Sequence, residues 1–358
     1  MFNKLKPKSE FSRNILTLMT GTTIAQAIPI SISPILTRIY TPEDFGVFAL
    51  YASITMIFGV VVTGRYELAL MLPEKDEDAI NIFALGFILT VLISLVLLVI
   101  VLIFNENIVR LLKNSEIEIW LYFAPISVFL IGMFNLLNYF NNRKKHYKDI
   151  AKATVIKSII LSIIQLTIGF IKTGAAGLVT GQIISQIFSN IKLAKNIYKD
   201  KKLISSINKE DMLKLGKRYI KFPKFSMLAE LINSLSYNLL TILISLFFSI
   251  KVLGYYSLVY KILSLPSSLI GNSISQVYYQ EASKELRNSY KIIISFNHVF
   301  LKLLVSIPIF IVLYFIIEDA FIIVFGNDWS ESGIYAKILL PLFFIRFISS
   351  ALSSTMSL

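Results

Sequence analysis

The chain has 358 residues, of which 55% are hydrophobic and only 16% are charged, and its mean hydropathy is +0.70. This composition excludes an ordinary soluble domain and predicts an all-α integral membrane protein. With no cysteine and only two histidines, His146 and His298, the chain lacks a disulfide framework and cysteine-based metal or redox sites. We therefore expect no metal and no cofactor. We also expect no nucleic-acid partner, because the basic residues behind the net charge of +13 lie between apolar runs, where membrane orientation explains them.

Ten predominantly apolar segments follow one another along the chain. Each is close to the length of about 20 residues that crosses a hydrocarbon core about 30 Å thick. We therefore predict ten transmembrane helices, near residues 14–37, 46–66, 79–104, 117–140, 151–171, 174–194, 223–248, 253–275, 293–317 and 334–355.

The segments that connect these ten spans alternate between many and few basic residues. If the N-terminus is cytoplasmic, the inner segments hold groups such as Arg143, Lys144 and Lys145 and the Lys-rich loop 192–224. The positive-inside rule therefore predicts a cytoplasmic N-terminus. The first apolar run imitates a signal peptide but continues to Leu36, which predicts an uncleaved first span.

An internal repeat relates the two halves of the chain. Placing "YTPEDFGVFALYA" (40–52) over "FSIKVLGYYSLVY" (248–260) aligns Gly46 with Gly254. Such repeats predict two lobes with a substrate path between them. We assign a six-helix lobe to 1–195, a basic cytoplasmic linker to 196–222 and a four-helix lobe to 223–358. Two helices are expected to be missing after Leu358, either by truncation or in a genuine ten-helix variant.

Polar residues recur at helical spacing within several spans. A stripe on the first span and its counterpart in the second lobe share one register, and two further stripes occur between them. The stripes predict a water-filled lumen, with hydrogen-bonded helix contacts as the alternative. The stripes contain Thr22, Gln26, Pro29, Ser33 and Thr37; Glu230, Asn233, Ser234, Tyr237, Thr241 and Ser245; Gln182, Gln186 and Asn190; and Asn135, Asn138 and Asn142.

Glu230 and four basic residues lie within or at the edges of predicted spans. An intramembrane carboxylate is expensive, so Glu230 is a candidate functional residue, with a structural ion pair to Lys261 as the alternative. Lys152 and Lys157 can snorkel to the interface. If Lys157, Lys261 and Arg346 face the lumen, they offer a site to an anionic headgroup, and the planar guanidinium of Arg346 suits phosphate.

Two opposite charges, Arg65 and Glu67, end the second predicted span in "TGRYELALMLPEKDEDA" (63–79). They lie about 200° apart around a continuous helix, so we predict that they cannot pair with each other. They are candidates for a gate or a substrate contact at the cytoplasmic mouth of the path, with an interfacial cap as the alternative.

Several blocks resemble the polysaccharide biosynthesis proteins of the Wzx flippase type, within the multidrug/oligosaccharidyl-lipid/polysaccharide (MOP) exporter superfamily. They are "LTRIYTPEDFGVFALYASI", "TGRYELALMLPEKDEDA", "FPKFSMLAELINSLSYNLLTILIS" and "LPSSLIGNSISQVYYQEAS". The resemblance covers nearly the whole chain. It implies two six-helix lobes, from which this chain departs by two helices.

The same resemblance implies a function. Family members flip an undecaprenyl-pyrophosphate-linked oligosaccharide across the bacterial cytoplasmic membrane by alternating access, for O-antigen, capsule or a similar surface polysaccharide. A proton or sodium gradient is the expected energy source, and a polysaccharide polymerase and a chain-length regulator are the expected partners.

Three other functions compete with a flippase. A drug/cation antiporter of the same superfamily should show more acidic than basic residues in the lumen. A membrane polymerase or acyltransferase should have a large outer loop and an acid/base constellation around His146 or His298, and the sequence offers neither, so we expect no enzyme. An inactive fragment or a scaffold of a glycan-assembly complex is the third alternative, because a bundle without two spans exposes polar interfaces to lipid.

Overall fold

The computed structural model of the chain describes residues 10–171, 174–271, 274–275, 278 and 293–353, and within these residues all regular structure is helical. The all-α prediction is therefore confirmed. The helices are α1 Glu10–Ser31, α2 Ser33–Ile39, α3 Pro42–Gly59, α4 Tyr66–Ala69, α5 Asp76–Leu112, α6 Glu118–Leu121, α7 Ala124–Arg143, α8 Tyr147–Ile171, α9 Ala176–Tyr198, α10 Lys201–Ile204, α11 Lys209–Arg218, α12 Met227–Phe247, α13 Ile250–Leu263, α14 Ile293–Leu304, α15 Ile307–Phe325 and α16 Ser330–Leu352.

Six helical segments of the described chain are long and apolar enough to cross a membrane. They are Asp76–Leu112, Ala124–Arg143, Tyr147–Ile171, Phe222–Phe247, Ile307–Phe325 and Asn327–Leu352. The integral membrane assignment is confirmed, whereas the count of ten spans stays a prediction. Besides 46–66, four predicted spans are interrupted in the structure: 14–37 at Ile32, 117–140 after Leu121, 253–275 after Leu263 and 293–317 after Leu304.

The start and end of α3 differ from the predicted span 46–66 for local reasons. The Thr41 hydroxyl accepts a hydrogen bond from the Asp44 backbone N–H at 3.3 Å, and the Asp44 carboxylate accepts one from the Thr41 N–H at 2.9 Å. This reciprocal capping box, with Pro42 at the first turn, starts the helix four residues early. The helix then ends at Gly59, because the chain turns before Arg65.

Residues 1–253 form one compact unit. In it α8 packs along α9 and α1, α5 packs on α7 and α11, and α3 packs on α7 and α12. The buried core under α4 includes Tyr66, Ile82, Leu136 and Leu215. At Gly46 of α3 a Cβ would lie 1.9 Å from the Ile250 carbonyl oxygen, so only glycine allows this approach.

Residues 254–358 form a second unit. Helix α15 packs on α16, and α16 also packs on the π-helical turn Pro266–Gly271. Trp329 is fully buried, with the ring of Tyr255 edge-on at 6.0 Å between centroids. The predicted lobes 1–195 and 223–358 stay a prediction, and in the structure α12 packs within the first unit.

Candidate functional site

The chain reverses direction at the end of α3 through two consecutive left-handed residues. Gly64 and Arg65 both have φ of +60°, a region that glycine adopts freely and that strains a residue with a side chain. Arg65 is thereby the residue that precedes α4 rather than part of a continuous helix. The six-residue segment between α3 and α4 sets the direction of the Arg65 side chain.

Arg65 and Glu67 form an ion pair in the structure. Arg65 Nη1 lies 3.3 Å from Glu67 Oε1. The prediction that these two charges cannot pair is wrong, because it assumed a continuous helix through both residues. The left-handed backbone at Gly64 and Arg65 breaks that helix, and Gly64 was the sequence signal for the break.

Glu67 is almost completely enclosed, with 1% of its side chain exposed. The Thr63 hydroxyl donates a hydrogen bond to Oε2, and the backbone N–H of Arg65 donates to the Thr63 oxygen at 3.2 Å. Helix α4 lies outside the six long apolar helices. Burial raises the pKa of the Glu67 carboxyl, although the Thr63 hydrogen bond and the Arg65 charge act to lower it.

Glu230, on the first turn of α12, completes the cluster. Arg65 Nη2 lies 3.9 Å from Glu230 Oε2, and the Glu230 side chain is 32% exposed. Glu230 therefore pairs with Arg65, and the alternative pair with Lys261, a residue of the second unit, stays a prediction. Tyr139 of α7 lies close enough to interact electrostatically with Arg65, Glu67 and Glu230. We call Arg65, Glu67 and Glu230 the charged cluster.

The charged cluster holds more carboxyl groups than basic groups. One guanidinium faces two carboxylates, and the Arg65 Nε atom is buried without a hydrogen-bond partner. Its contacts of 3.3 and 3.9 Å are longer than the 2.7–2.9 Å of a charge-assisted hydrogen bond. The cluster can therefore exchange partners more easily than a close ion pair can.

Tyr66 anchors α4 beside the cluster. Its hydroxyl donates to the carbonyl oxygen of Gly216 on α11 at 2.9 Å. A Cβ on Gly216 would lie 2.9 Å from Leu85 of α5, so α11 sits directly against α5. The cluster is thus tied to two neighbouring helices through Tyr66.

The other predicted charged residues have aromatic or partly buried surroundings. Lys157 Nζ lies 5.5 Å from the Phe134 ring centre in the first unit. In the second unit, Arg346 donates from Nη1 to the Tyr260 hydroxyl at 2.8 Å and stacks on the Tyr260 ring at 5.3 Å. Lys261 is half-buried on α13.

The predicted polar stripes lie in mixed surroundings. The Ser33 hydroxyl is buried and donates to the Pro29 carbonyl at 2.7 Å, and the Asn190 amide donates to the Leu130 carbonyl at 2.9 Å. The Asn190 bond joins α9 to α7 and is a contact between helices, whereas the Ser33 bond stays within one turn of its own helical segment. Of the other stripe residues, Thr37, Gln186, Ser234 and Ser245 are buried, Gln26, Gln182, Asn135, Asn138 and Thr241 are half-buried, and Thr22, Asn233 and Tyr237 are exposed.

A second arginine at the same end of the first unit was not singled out from the sequence. Arg143 Nε lies 2.9 Å from Asp76 Oδ1, and its Nη atoms donate to three carbonyl oxygens of the segment before α5, those of Leu70, Pro73 and Glu74. Lys144 also binds Asp76. The sequence identified both basic residues only as orientation signals. Among the described residues, no group of three His, Asp or Glu side chains could hold a metal ion.

The chain matches known proteins at the level of family and fold. Residues 35–333 match the family model described as "Polysaccharide biosynthesis protein". No curated protein matches the chain. Among solved structures, the lipid II flippase MurJ in an inward closed conformation is similar with a TM-score of 0.65 at 15% identity, covering 94% of this chain and 76% of that one.

Two multidrug transporters are also similar. An inward-facing MATE family transporter of the MOP superfamily has a TM-score of 0.64 at 14% identity, covering 94% of this chain and 83% of that one. The MATE multidrug transporter DinF-BH has a TM-score of 0.59 at 15% identity, covering 100% and 86%. These identities show the fold alone. Because the family model covers most of the chain, the protein belongs to the polysaccharide biosynthesis protein family, and its fold is that of the MOP-superfamily transporters.

Proposed function

We propose that this protein flips an undecaprenyl-pyrophosphate-linked oligosaccharide across the bacterial cytoplasmic membrane by alternating access, for the synthesis of a surface polysaccharide. The family match and the transporter fold support a flippase rather than an enzyme. The observation that carries the proposal is the loosely held guanidinium of Arg65 between two carboxylates, in a segment outside the long apolar helices.

The chemistry of Arg65 fits an anionic headgroup. A guanidinium presents several N–H donors in a plane and binds phosphate oxygens in pairs. Its Nε atom has no partner and its contact to Glu230 is long, so a phosphate oxygen can replace Glu230 without breaking a close hydrogen bond. Pyrophosphate then takes the place that Glu230 holds beside Arg65.

The surplus carboxylate gives the same cluster a role in energy coupling. When phosphate binds Arg65, Glu230 loses its positive partner, and a proton or a sodium ion can neutralise it. We therefore propose that a proton or sodium gradient drives the cycle and that no cofactor is needed. The N-terminus is cytoplasmic in this proposal, and a polysaccharide polymerase and a chain-length regulator are its partners.

A drug/cation antiporter is the second candidate, and one observation favours it. With two carboxylates to one guanidinium, the charged cluster attracts an organic cation as well as a coupling ion. An antiporter would place Glu230 in contact with the drug, and Arg65 would have no substrate to bind.

Complementation tests the two candidates. The chain and its variants are expressed in a strain whose own flippase is deleted, and surface polysaccharide and resistance to cationic drugs are scored at matched membrane abundance. We expect the unmodified chain to restore polysaccharide, and Arg65→Ala and Glu230→Gln each to abolish it. Glu43→Gln is the matched control, because Glu43 also sits in the first turn of a helix and pairs with a basic residue, Lys251, at 3.3 Å.

The outcome separates the proposals. Loss of polysaccharide in both cluster variants but not in the Glu43 variant supports the flippase. Drug resistance that needs Glu230 but not Arg65, without any polysaccharide, would reject the flippase in favour of the antiporter.

A further inference from the structure

The basic residues that lead into α12 form one exposed surface. Helix α11 is followed by a short turn and then by the π-helical turn Phe222–Ser226, which continues into α12. Five basic side chains along this stretch are exposed: Lys214, Lys217, Arg218, Lys221 and Lys224. We call these five residues the basic face. Lys214, Lys217 and Arg218 lie on α11, and Lys221 and Lys224 follow the turn, at the start of the helical segment that leads into α12.

The basic face contrasts with two other basic residues of the first unit, Lys144 and Lys192, which pair with the carboxylates of Asp76 and Asp149 respectively. None of the five residues of the basic face takes part in an ion pair with a described residue. The two acids of α11, Glu210 and Asp211, lie in its first turn, and Asp211 accepts a hydrogen bond from Asn208.

The basic face continues into an exposed apolar stripe of α12. Its members recur at steps of three, four or seven residues, so they lie on one side of the helix: Phe225, Leu228, Ile232, Leu239, Leu243 and Phe247. Phe222–Phe247 is long and apolar enough to cross a membrane, and an exposed apolar stripe on such a helix is suited to face lipid. A row of cations at the end of a lipid-facing stripe lies where the hydrocarbon core gives way to the phosphate groups.

Two observations indicate that the segment lies at that boundary. Leu213, between the cations of α11, is 56% exposed, and Ile220 is 40% exposed. The ring of Tyr219 lies 6.5 Å from that of Phe222, and the Arg218 guanidinium stacks on Tyr219 at 5.5 Å. Aromatic residues and apolar side chains among cations are typical of a membrane interface.

From this geometry we infer that the basic face binds the headgroups of anionic phospholipids in the leaflet around it. The occupant is a phosphate-bearing membrane lipid with net negative charge, such as phosphatidylglycerol. Charge complementarity and continuity with the α12 stripe favour lipid over an acidic soluble protein. The inference takes the cytoplasmic position of this loop from the proposed orientation, but it does not depend on which molecule is transported.

Electrostatic attraction sets the expected size of the effect. A basic residue close to an anionic membrane surface raises the local preference for anionic over neutral lipid by a factor of about five. Because cations along one segment share the same lipids, we expect a total preference of about fivefold to tenfold for the anionic lipid rather than the full product. Salt should screen it, since the Debye length is about 3 Å at 1 M.

The absence of cysteine in the chain makes a site-specific test straightforward. A fluorophore is attached to a Leu213→Cys variant in nanodiscs that contain phosphatidylcholine and a small fraction of headgroup-quencher-labelled lipid, either phosphatidylglycerol or phosphatidylcholine. The charge variant adds Lys217→Gln, Arg218→Gln and Lys221→Gln. The matched control adds Lys199→Gln, Lys201→Gln and Lys202→Gln, which removes three equally exposed cations from the same loop but away from the α12 stripe.

We expect the phosphatidylglycerol quencher to quench at least five times more strongly than the phosphatidylcholine quencher. In the charge variant, and in 1 M salt, this ratio should fall below two. In the matched control the ratio should not change. The salt titration keeps the test valid if the charge variant fails to fold. Equal quenching by the two lipids would overturn the inference and leave an acidic protein as the occupant. Equal losses in the two triple variants would overturn it as well, because the net charge of the loop would then be responsible.

The result is independent of the proposed function. Lipid preference in a chain that fails to complement would contradict the flippase alone. Complementation without lipid preference would contradict the basic face alone.

Discussion

Arg65 and Arg143 lie at the same end of the first unit and are held in opposite ways. Arg143 is 11% exposed, meets Asp76 at 2.9 Å and donates to three backbone carbonyl groups. Arg65 is 20% exposed, meets its two carboxylates at 3.3 and 3.9 Å and leaves Nε without a partner. A guanidinium whose donors are satisfied at close range fixes a loop, whereas one with long contacts and a spare donor is ready to change partners.

The contacts of Arg143 therefore indicate a structural role, whereas our proposed mechanism gives Arg65 a role in transport. Removing Arg143 should damage folding, and removing Glu230, the exposed partner of Arg65, should damage transport with little effect on folding. Four predictions test this difference, in decreasing order of their effect on stability.

Arg143→Ala should have the largest effect. It removes a buried charged group with four hydrogen bonds and frees the segment before α5, so we expect a loss of about 3 kcal/mol in the free energy of unfolding. Thermal unfolding of the purified protein in detergent measures it. Arg143→Lys should recover less than half, because one ammonium cannot reach Asp76 and three carbonyls together. A stability unchanged by Arg143→Ala would contradict the structural role.

Gly64→Ala should have an intermediate effect. Gly64 has φ of +60°, and a Cβ there would lie 3.3 Å from Leu89 Cδ1. Left-handed backbone costs alanine about 1 kcal/mol relative to glycine, and the same substitution redirects Arg65. We expect a loss of about 1 kcal/mol and reduced transport. Gly326→Ala is a useful comparison, since Gly326 has φ of +101° in the second unit with open space around its Cβ position.

Glu230→Gln should hardly change stability while abolishing transport. The carboxylate is 32% exposed and its contact to Arg65 is 3.9 Å, so the pair contributes less than about 0.5 kcal/mol. Unfolding measurements and the complementation assay on the same variant provide the comparison. A stability loss as large as that of Arg143→Ala would mean that the charged cluster is a structural ion pair.

Glu106→Gln should affect neither property. Glu106 and Arg110 form an ion pair across one turn of α5 at 3.3 Å, with 83% and 75% of their side chains exposed. Solvent screens such a pair almost completely. A measurable loss in stability or in transport would show that charge changes in general, rather than contact geometry, account for the effects of the three preceding substitutions.

The sequence predicted the helical membrane architecture well, because apolar runs of about 20 residues seldom occur outside membrane-spanning helices. It failed where a single backbone conformation mattered. The interval from Thr63 to Glu67 was read as the end of a helix, so the ion pair between Arg65 and Glu67 was excluded. Gly64 indicated a break, but a glycine alone does not reveal that its neighbour is left-handed as well.

Contacts between residues that are distant in the chain could not be predicted from the sequence, for a different reason. Glu230 was identified because a carboxylate in an apolar run is costly, yet its partner lies 165 residues earlier in the chain. Arg143 gave only an orientation signal, since its bonds are to backbone carbonyls that carry no sequence signature. Tyr139 and Thr63 were not singled out, because a hydroxyl near a span end is common and carries little information.

The length of helix α5 and its exposed apolar side chains indicate where the bilayer lies along it. Its 37 residues measure about 55 Å, far more than the hydrocarbon core of about 30 Å requires. Its exposed large apolar side chains are concentrated between Phe87 and Phe104, a band about 27 Å tall. Leu89, near one edge of that band, is the residue that faces Gly64. In the proposed mechanism, this depth brings Arg65 close to the level of the lipid phosphate groups.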